Sequence, residues 1–210
     1  MVSYQPPALS YADMRHMADD FLSRFNSDGC VPVEIEDIAA FDMGYEIRLL
    51  AGVYEDVEVH ACLANGLKRI FVDEATYSHR YADARFSIAH EVGHVWLHAS
   101  FYEANPIRSI QDYYRVHEAL GLDAYERMEV QAQNFAGLVL VPTDALHILV
   151  RGARAAANAG GIPGDVFANE SGQRFATNWI ADALQVAPRV IEKRLEFENV
   201  WAPPTRFSGS

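Results

Sequence analysis

Between positions 84 and 99, Ile88, Ala89, Val92, Val95, Trp96 and Ala99 recur at spacings of three and four. That spacing draws an apolar stripe along one side of an α-helix, and no proline interrupts it. A second stripe, Met128, Ala132, Phe135, Ala136, Val139 and Leu140, predicts a helix over 124–141 that Pro142 ends. Upstream, Ser10 can cap a helix running to about Arg24, with Met14, Met17, Phe21 and Leu22 on its apolar face, and Asp28-Gly29 breaks it. A shorter helix carrying Val33, Ile35, Ile38 and Ala39 follows Pro32 and stops before Gly44. Three strand-like runs come next, at 45–50, 57–63 and 68–72. The middle run alternates and holds His60, which its pattern marks as structural. Asn65-Gly66 after it is a hairpin signal. Polar 73–83 reads as a loop. Residues 99–123 read as irregular chain, either a flap over a cleft or a surface insertion. Beyond Pro142, Thr143 caps a helix with Leu146, Leu149 and Val150, which fades into Ala-rich chain and Gly160-Gly161. The tail, 173–200, reads as two helices about a tight turn, with Pro188 in the first turn of the second.

These elements predict an α+β chain: a small antiparallel or mixed three-stranded sheet packed on helices, followed by a helical extension. The expected division is a core over 1–142 and an extension over 143–210 whose last two helices look like a helix-turn-helix. With 210 residues, half of them apolar, the chain can fill a sizeable core. A formal charge of −12 argues against direct DNA binding by the chain as a whole, because phosphates would be repelled. The start, MVSYQPPALS, shows no cationic segment followed by an apolar run, and no stretch is apolar enough to span a membrane. Cys30 and Cys62 are the two cysteines, which suits a reducing compartment. The expectation is a cytoplasmic protein in which each cysteine is a small buried hydrophobe.

The first stripe carries chemistry. His90-Glu91-Val92-Gly93-His94 matches H-E-x-x-H. On a helix, His90 and His94 lie on one face and can bind a single ion. Glu91, about 100° around, can flank that ion and take a proton from a water activated there. Gly93 would let another backbone or a substrate come close. The motif also arises by chance, and a buried, hydrogen-bonded histidine pair would show the same pattern. A catalytic zinc needs a third protein ligand. His98 cannot serve, since eight residues separate it from His90, about 12 Å along the axis. Ser100 stands where an extended zinc motif would need histidine, and Leu97 where that motif has glycine. A carboxylate from the second helix remains, from Glu126 or Glu129. Glu129 is favoured, because it sits within the apolar stripe, where an acidic side chain needs a partner. Tyr102, Tyr113, Tyr114 and His117 are all candidates for stabilising an oxyanion.

RFSIAHEVGHVWLH (85–98) and EVQAQNFAGLVLVP (129–142) resemble the ImmA/IrrE family of metallo-endopeptidases, whose members read like RFTIAHELGH…H followed by E-x-x-A-N-x-F-A-x-x-L-L-M-P. The resemblance extends to PVEIEDIAAFDMGYEI upstream and VAPRVIEKRL downstream. The chain departs from that pattern at Asn134, which stands one or two places from the family asparagine, and in a long segment between His98 and Glu129. The resemblance implies a zincin-like core. It implies His90, His94 and Glu129 as ligands of Zn2+, with Mn2+ also suited to a carboxylate ligand, and Glu91 as general base. It further implies an endopeptidase whose substrate is a partner protein, a helix-turn-helix transcriptional repressor controlling stress or mobile-element genes. The alternative is a non-proteolytic metal-containing regulator, or a toxin–antitoxin-type partner, that binds a transcription factor without cutting it.

Overall fold

Ser10 and Asp13 open the first helix by satisfying each other. Ser10 Oγ accepts from the Asp13 N–H at 3.2 Å, and the Asp13 carboxylate accepts from the Ser10 N–H at 2.8 Å. The helix that follows in the computed structural model, α1 (Tyr11–Phe25), buries Met14, Ala18 and Phe21. The structure describes residues 4–53, 60–161 and 165–200. The second predicted helix is a short turn, α2 (Ile35–Asp37), continued by a π-helical turn over Ile38–Asp42.

The strands are β1 (Glu46–Leu50), β2 (Ala61–Ala64) and β3 (Arg69–Asp73). They lie in the order β1-β3-β2. β1 runs parallel to β3, with Glu46 opposite Arg69, and β2 runs antiparallel to β3, with Ala61 opposite Val72. The sheet is therefore mixed. β2 is shorter than the predicted run; positions 57–59 fall outside the described residues, and His60 precedes the strand. The Asn65-Gly66 signal does join antiparallel neighbours. It does so through a 3-10 turn, Asn65–Leu67, that ends on left-handed Lys68. Ile70 and Val72 alternate with Phe71 and point to the buried side of the sheet, where α4 (Tyr81–Leu97) packs.

Two segments expected to be irregular are helical. Asp73 accepts from the Thr76 N–H at 2.9 Å and so caps α3 (Glu74–His79) within the supposed loop. After α4 the chain turns at His98 into α5 (Ala99–Ala104), which buries Phe101 and Tyr102. Ser109 then caps α6 (Ile110–Leu120), accepting from the Asp112 N–H at 3.1 Å. Gly121, at φ +81°, leads into α7 (Leu122–Leu140). Cys30 is exposed rather than buried, because it lies in the turn after α1 with its thiol 3.1 Å from Asp28.

Helices α1, α4 and α7 share one core. The Phe21 ring stands 5.3 Å from Trp96 and 5.4 Å from Phe135, edge to face in both cases. Arg85, itself buried, donates to the Val33 carbonyl and ties α4 to the segment before α2. The chain divides into two compact units, Met1–Leu140 and Val141–Ser210. The second holds α8 (Thr143–Ala159), α9 (Glu170–Leu184) and α10 (Pro188–Phe197). Thr143 does not cap α8. Pro142 occupies that position, and the Thr143 hydroxyl accepts from buried Arg194, which also donates to the Val141 carbonyl and pairs with Glu198. Among the described residues, no single helix is long and apolar enough to cross a membrane.

Candidate metal centre

The site forms where α4 and α7 touch. Gly93 lies at that contact: a Cβ there would stand 3.0 Å from a Phe135 ring carbon and 3.2 Å from the Ala132 carbonyl oxygen. The close approach expected at this glycine is therefore made by the α7 backbone. It brings Glu129 within reach of both histidines. His90 Nε2 lies 3.0 Å from Glu129 Oε2, His94 Nε2 lies 3.2 Å from Glu129 Oε1, and the two Nε2 atoms are 3.0 Å apart. A tetrahedral ion with ligands at about 2.0–2.1 Å sets neighbouring donors roughly 3.3–3.4 Å apart. The three donors are thus spaced as the three protein corners of such a site, and their chemistry, two imidazoles and a carboxylate, suits a divalent cation. His94 is buried, while 34% of the Glu129 side chain remains accessible. The centre is walled by protein yet reachable. Glu126, three residues earlier on α7, is exposed and lines a different surface.

The charges reinforce this arrangement. Burial works against the Glu129 carboxylate, but its hydrogen bonds to His90 and His94 hold its pKa well below the usual range. Burial also disfavours the His90 imidazolium, yet Glu129 and Glu91 together outweigh it and raise the His90 pKa. At His94 burial wins and the pKa falls. Glu91 does not join the trio. It sits beside the trio, buried, and burial reinforced by the Glu129 charge pushes its carboxyl up to about 8.

Aromatic side chains surround the donors. Tyr102 of α5 lies across His94 at 5.8 Å between ring centroids. Tyr113 and His117 of α6 pack ring to ring at 4.0 Å, and Tyr114 is 49% exposed. Tyr125 of α7 had no place among the sequence candidates, although it stands four residues before Glu129 and packs against His117 at 4.8 Å between ring centroids. The i,i+4 rule on a helix was the signal available for it. His98 is fully buried 6.0 Å from the His94 ring, with Tyr4 next to its Nδ1 at 3.4 Å, which leaves it a neighbour of the centre and not a member. The turn Asn65–Leu67 anchors the chain over the site: Asn65 Nδ2 donates to the Tyr102 carbonyl at 2.6 Å, and its Oδ1 accepts from the Ile107 N–H at 2.9 Å. An apolar cavity of about 560 Å³, lined in part by Leu50, Cys62, Phe71 and Ile107, reaches Tyr113 at its edge.

Among curated proteins, none matches the chain. The family model for peptidase M78, described as the IrrE N-terminal-like domain, matches residues 53–196, which is more than half the chain and includes the H-E-x-x-H helix and Glu129. The chain belongs to the peptidase M78 family of metallopeptidases, with its IrrE N-terminal-like domain.

Proposed function

We propose that this protein is a zinc-dependent endopeptidase that hydrolyses a peptide bond in a partner protein, a helix-turn-helix transcriptional repressor. The observation that carries the reading is Glu91. It is a buried carboxyl held next to three convergent metal donors without being one of them, where a general base for hydrolysis has to stand. His90, His94 and Glu129 would hold the cation, which when bound supplies Lewis acidity to the attacking water and the scissile carbonyl. Glu91 takes the proton of that water and hands it to the departing amine. The apolar cavity beside Tyr113 offers room for a substrate side chain.

Charge supports this choice of partner. The whole of the −12 excess lies in the first 140 residues, since residues 141–210 carry equal numbers of acidic and basic side chains. Such a surface repels nucleic acid and attracts basic proteins, and DNA-binding repressors are basic on the face that meets phosphate. The test is incubation of the zinc-loaded protein with candidate repressors, with Glu91→Gln and chelated controls. Cleavage that Glu91→Gln abolishes supports the reading. Binding that survives in Glu91→Gln, with no cleavage by the parent protein, points to a regulator that grips its partner without cutting it.

A further inference from the structure

The sheet has an apolar face on the side away from α4. Phe71 alternates with buried Ile70 and Val72, Cys62 stands opposite it on β2, and Leu50 lies two positions beyond its β1 partner Arg48, so all three point to that side. The start of α6 and the chain before it close over this face. They leave the cavity of about 560 Å³ that Cys62 and Phe71 line from the sheet and Ile107, Ile110 and Tyr113 line from the other side. Its size falls within the range of about 300–1,000 Å³ in which binding sites occur. The walls are set before anything enters. Buried Ile107 is held at both backbone polar groups: its N–H donates to Asn65 Oδ1 at 2.9 Å, and its carbonyl accepts from the Gly66 N–H at 3.0 Å. Gly66 permits that seat, since a Cβ there would stand 2.7 Å from Arg108 Cγ. Leu50, Leu67 and Ile110 also line the cavity, yet each is exposed. That is apolar surface which an apolar occupant would take out of water.

We propose that this cavity is the specificity site of the endopeptidase: it takes a bulky apolar side chain, leucine or an aromatic, that lies within about four residues of the scissile bond. The inference rests on the proposed function and adds the class of residue that selects the bond. Continuity with the metal centre supports it. Tyr113 lines the cavity, its ring lies 4.0 Å from His117, and His117 lies 4.8 Å from Tyr125, one turn of α7 before Glu129. That path is on the order of 15 Å, which about four extended residues span. The chemistry of the walls sets the choice of side chain. Among the described residues no carboxylate lines the cavity, and Arg108 is the charged side chain that does. A lysine or arginine entering it would leave water, meet a like charge and gain no partner. An alanine would leave most of the apolar wall uncovered. A basic partner is therefore read at this position by an apolar residue and not by its charge.

The experiment uses short-peptide libraries in which one position at a time holds Ala, Leu, Phe or Lys and the others are equimolar mixtures. Cleavage is read with the zinc-loaded parent, and binding is read by fluorescence anisotropy with zinc-loaded Glu91→Gln. At one position Leu and Phe should be favoured over Ala by roughly tenfold or more, with Lys below Ala, and the two readouts should rank them alike. Cys62→Trp, which fills the cavity, and Leu67→Trp, which narrows its exposed side, are made in both backgrounds, with thermal midpoints as the folding control. Each should erase most of the preference. A folded Cys62→Trp that keeps the full preference overturns the proposal, as does a parent with no apolar preference in either readout. Should Cys62→Trp fail to fold, Leu67→Trp takes its place in that test. An apolar preference in binding that Cys62→Trp removes, with no peptide cleaved by the parent, supports the cavity as a recognition site and overturns proteolysis. Neither cleavage nor preference overturns both readings.

Discussion

Gly93→Ala should loosen the metal centre even though alanine is the better helix former. The added methyl would meet Phe135 Cδ1 at 3.0 Å, the Ala132 oxygen at 3.2 Å and Ala132 Cα at 3.3 Å. Two of those three atoms are backbone, so α7 itself has to move away from α4, by a few tenths of an ångström. Overpacking of this kind costs about 1–3 kcal/mol. Removing a glycine from a helix interior returns up to roughly 1 kcal/mol. The net is a loss of about 0–2 kcal/mol, a fall of a few degrees in thermal midpoint for a chain of this size. The effect on metal binding is sharper. His94 and Glu129 now stand 3.2 Å apart on the two helices being pushed away from each other, and a metal site tolerates only about 0.2 Å of error in its ligand distances. Zinc titration of the variant by calorimetry should therefore show an affinity loss far out of proportion to the change in thermal midpoint. A Gly93→Ala protein that melts higher than the parent and binds zinc equally well would refute the argument that this glycine sets the spacing of the donors.

The metal-free protein should lose stability as pH rises from about 4.5 to about 8, because folded Glu91 keeps a proton that the unfolded chain has released, and the loss should level off above that range. Urea midpoints measured in chelator across that range check this, and Glu91→Gln should flatten the slope; a slope equally steep in the variant would count against it. Asn65→Ala removes the partners of the Tyr102 carbonyl and the Ile107 N–H. It should cost about 1–3 kcal/mol and speed limited proteolysis within 99–109, whereas an unchanged cleavage pattern would show that the turn does not hold that segment. Arg194→Met strands the Val141 carbonyl and leaves buried Glu198 without its cation, so denaturant unfolding should report a loss of about 3–5 kcal/mol, and a loss below 1 kcal/mol would contradict the buried-pair account.

The parts of the fold that could be read from the chain were those with a repeating apolar face. The stripes around Val92 and Phe135 give α4 and α7, and with them three side chains that could hold a metal, because the same 3.6-residue period that buries one face sets His90 and His94 side by side. The position of Glu129 within its stripe separated it from Glu126 for a physical reason, since a carboxylate on a half-buried face needs a partner. Helices α3, α5 and α6 were missed. α3 and α5 are six residues each, too short to show a period, and α6 mixes tyrosine, histidine and charge across its apolar positions. Their signals were local: Asp73 before Thr76 and Ser109 before Asp112, each a short polar side chain three residues ahead of the N–H it caps. Strand order was out of reach for a different reason. The pairing of β1 with β3 joins residues 23 apart in number at the Glu46–Arg69 contact, and nothing in either run alone selects that neighbour.

On the proposed function, the burial of Glu91 would disable it as a base in the metal-free chain. With a pKa of about 8, its carboxyl already carries a proton at neutral pH and cannot take another from a water. His90, His94 and Glu129 would hold a divalent cation whose charge would reverse this. It adds two positive charges beside a group that now feels mainly burial and the negative charge of Glu129, and in a site of low dielectric such a charge lowers a neighbouring carboxyl pKa by several units. The cation also competes for the lone pairs that Glu129 now gives to the two histidines, so the His90 proton that Glu129 stabilises is displaced as well. On the proposed function, cation binding and deprotonation of Glu91 would therefore be one event. An environment costly for a charged carboxylate would then weigh on the metal-free form alone and be relieved once the three donors hold their cation.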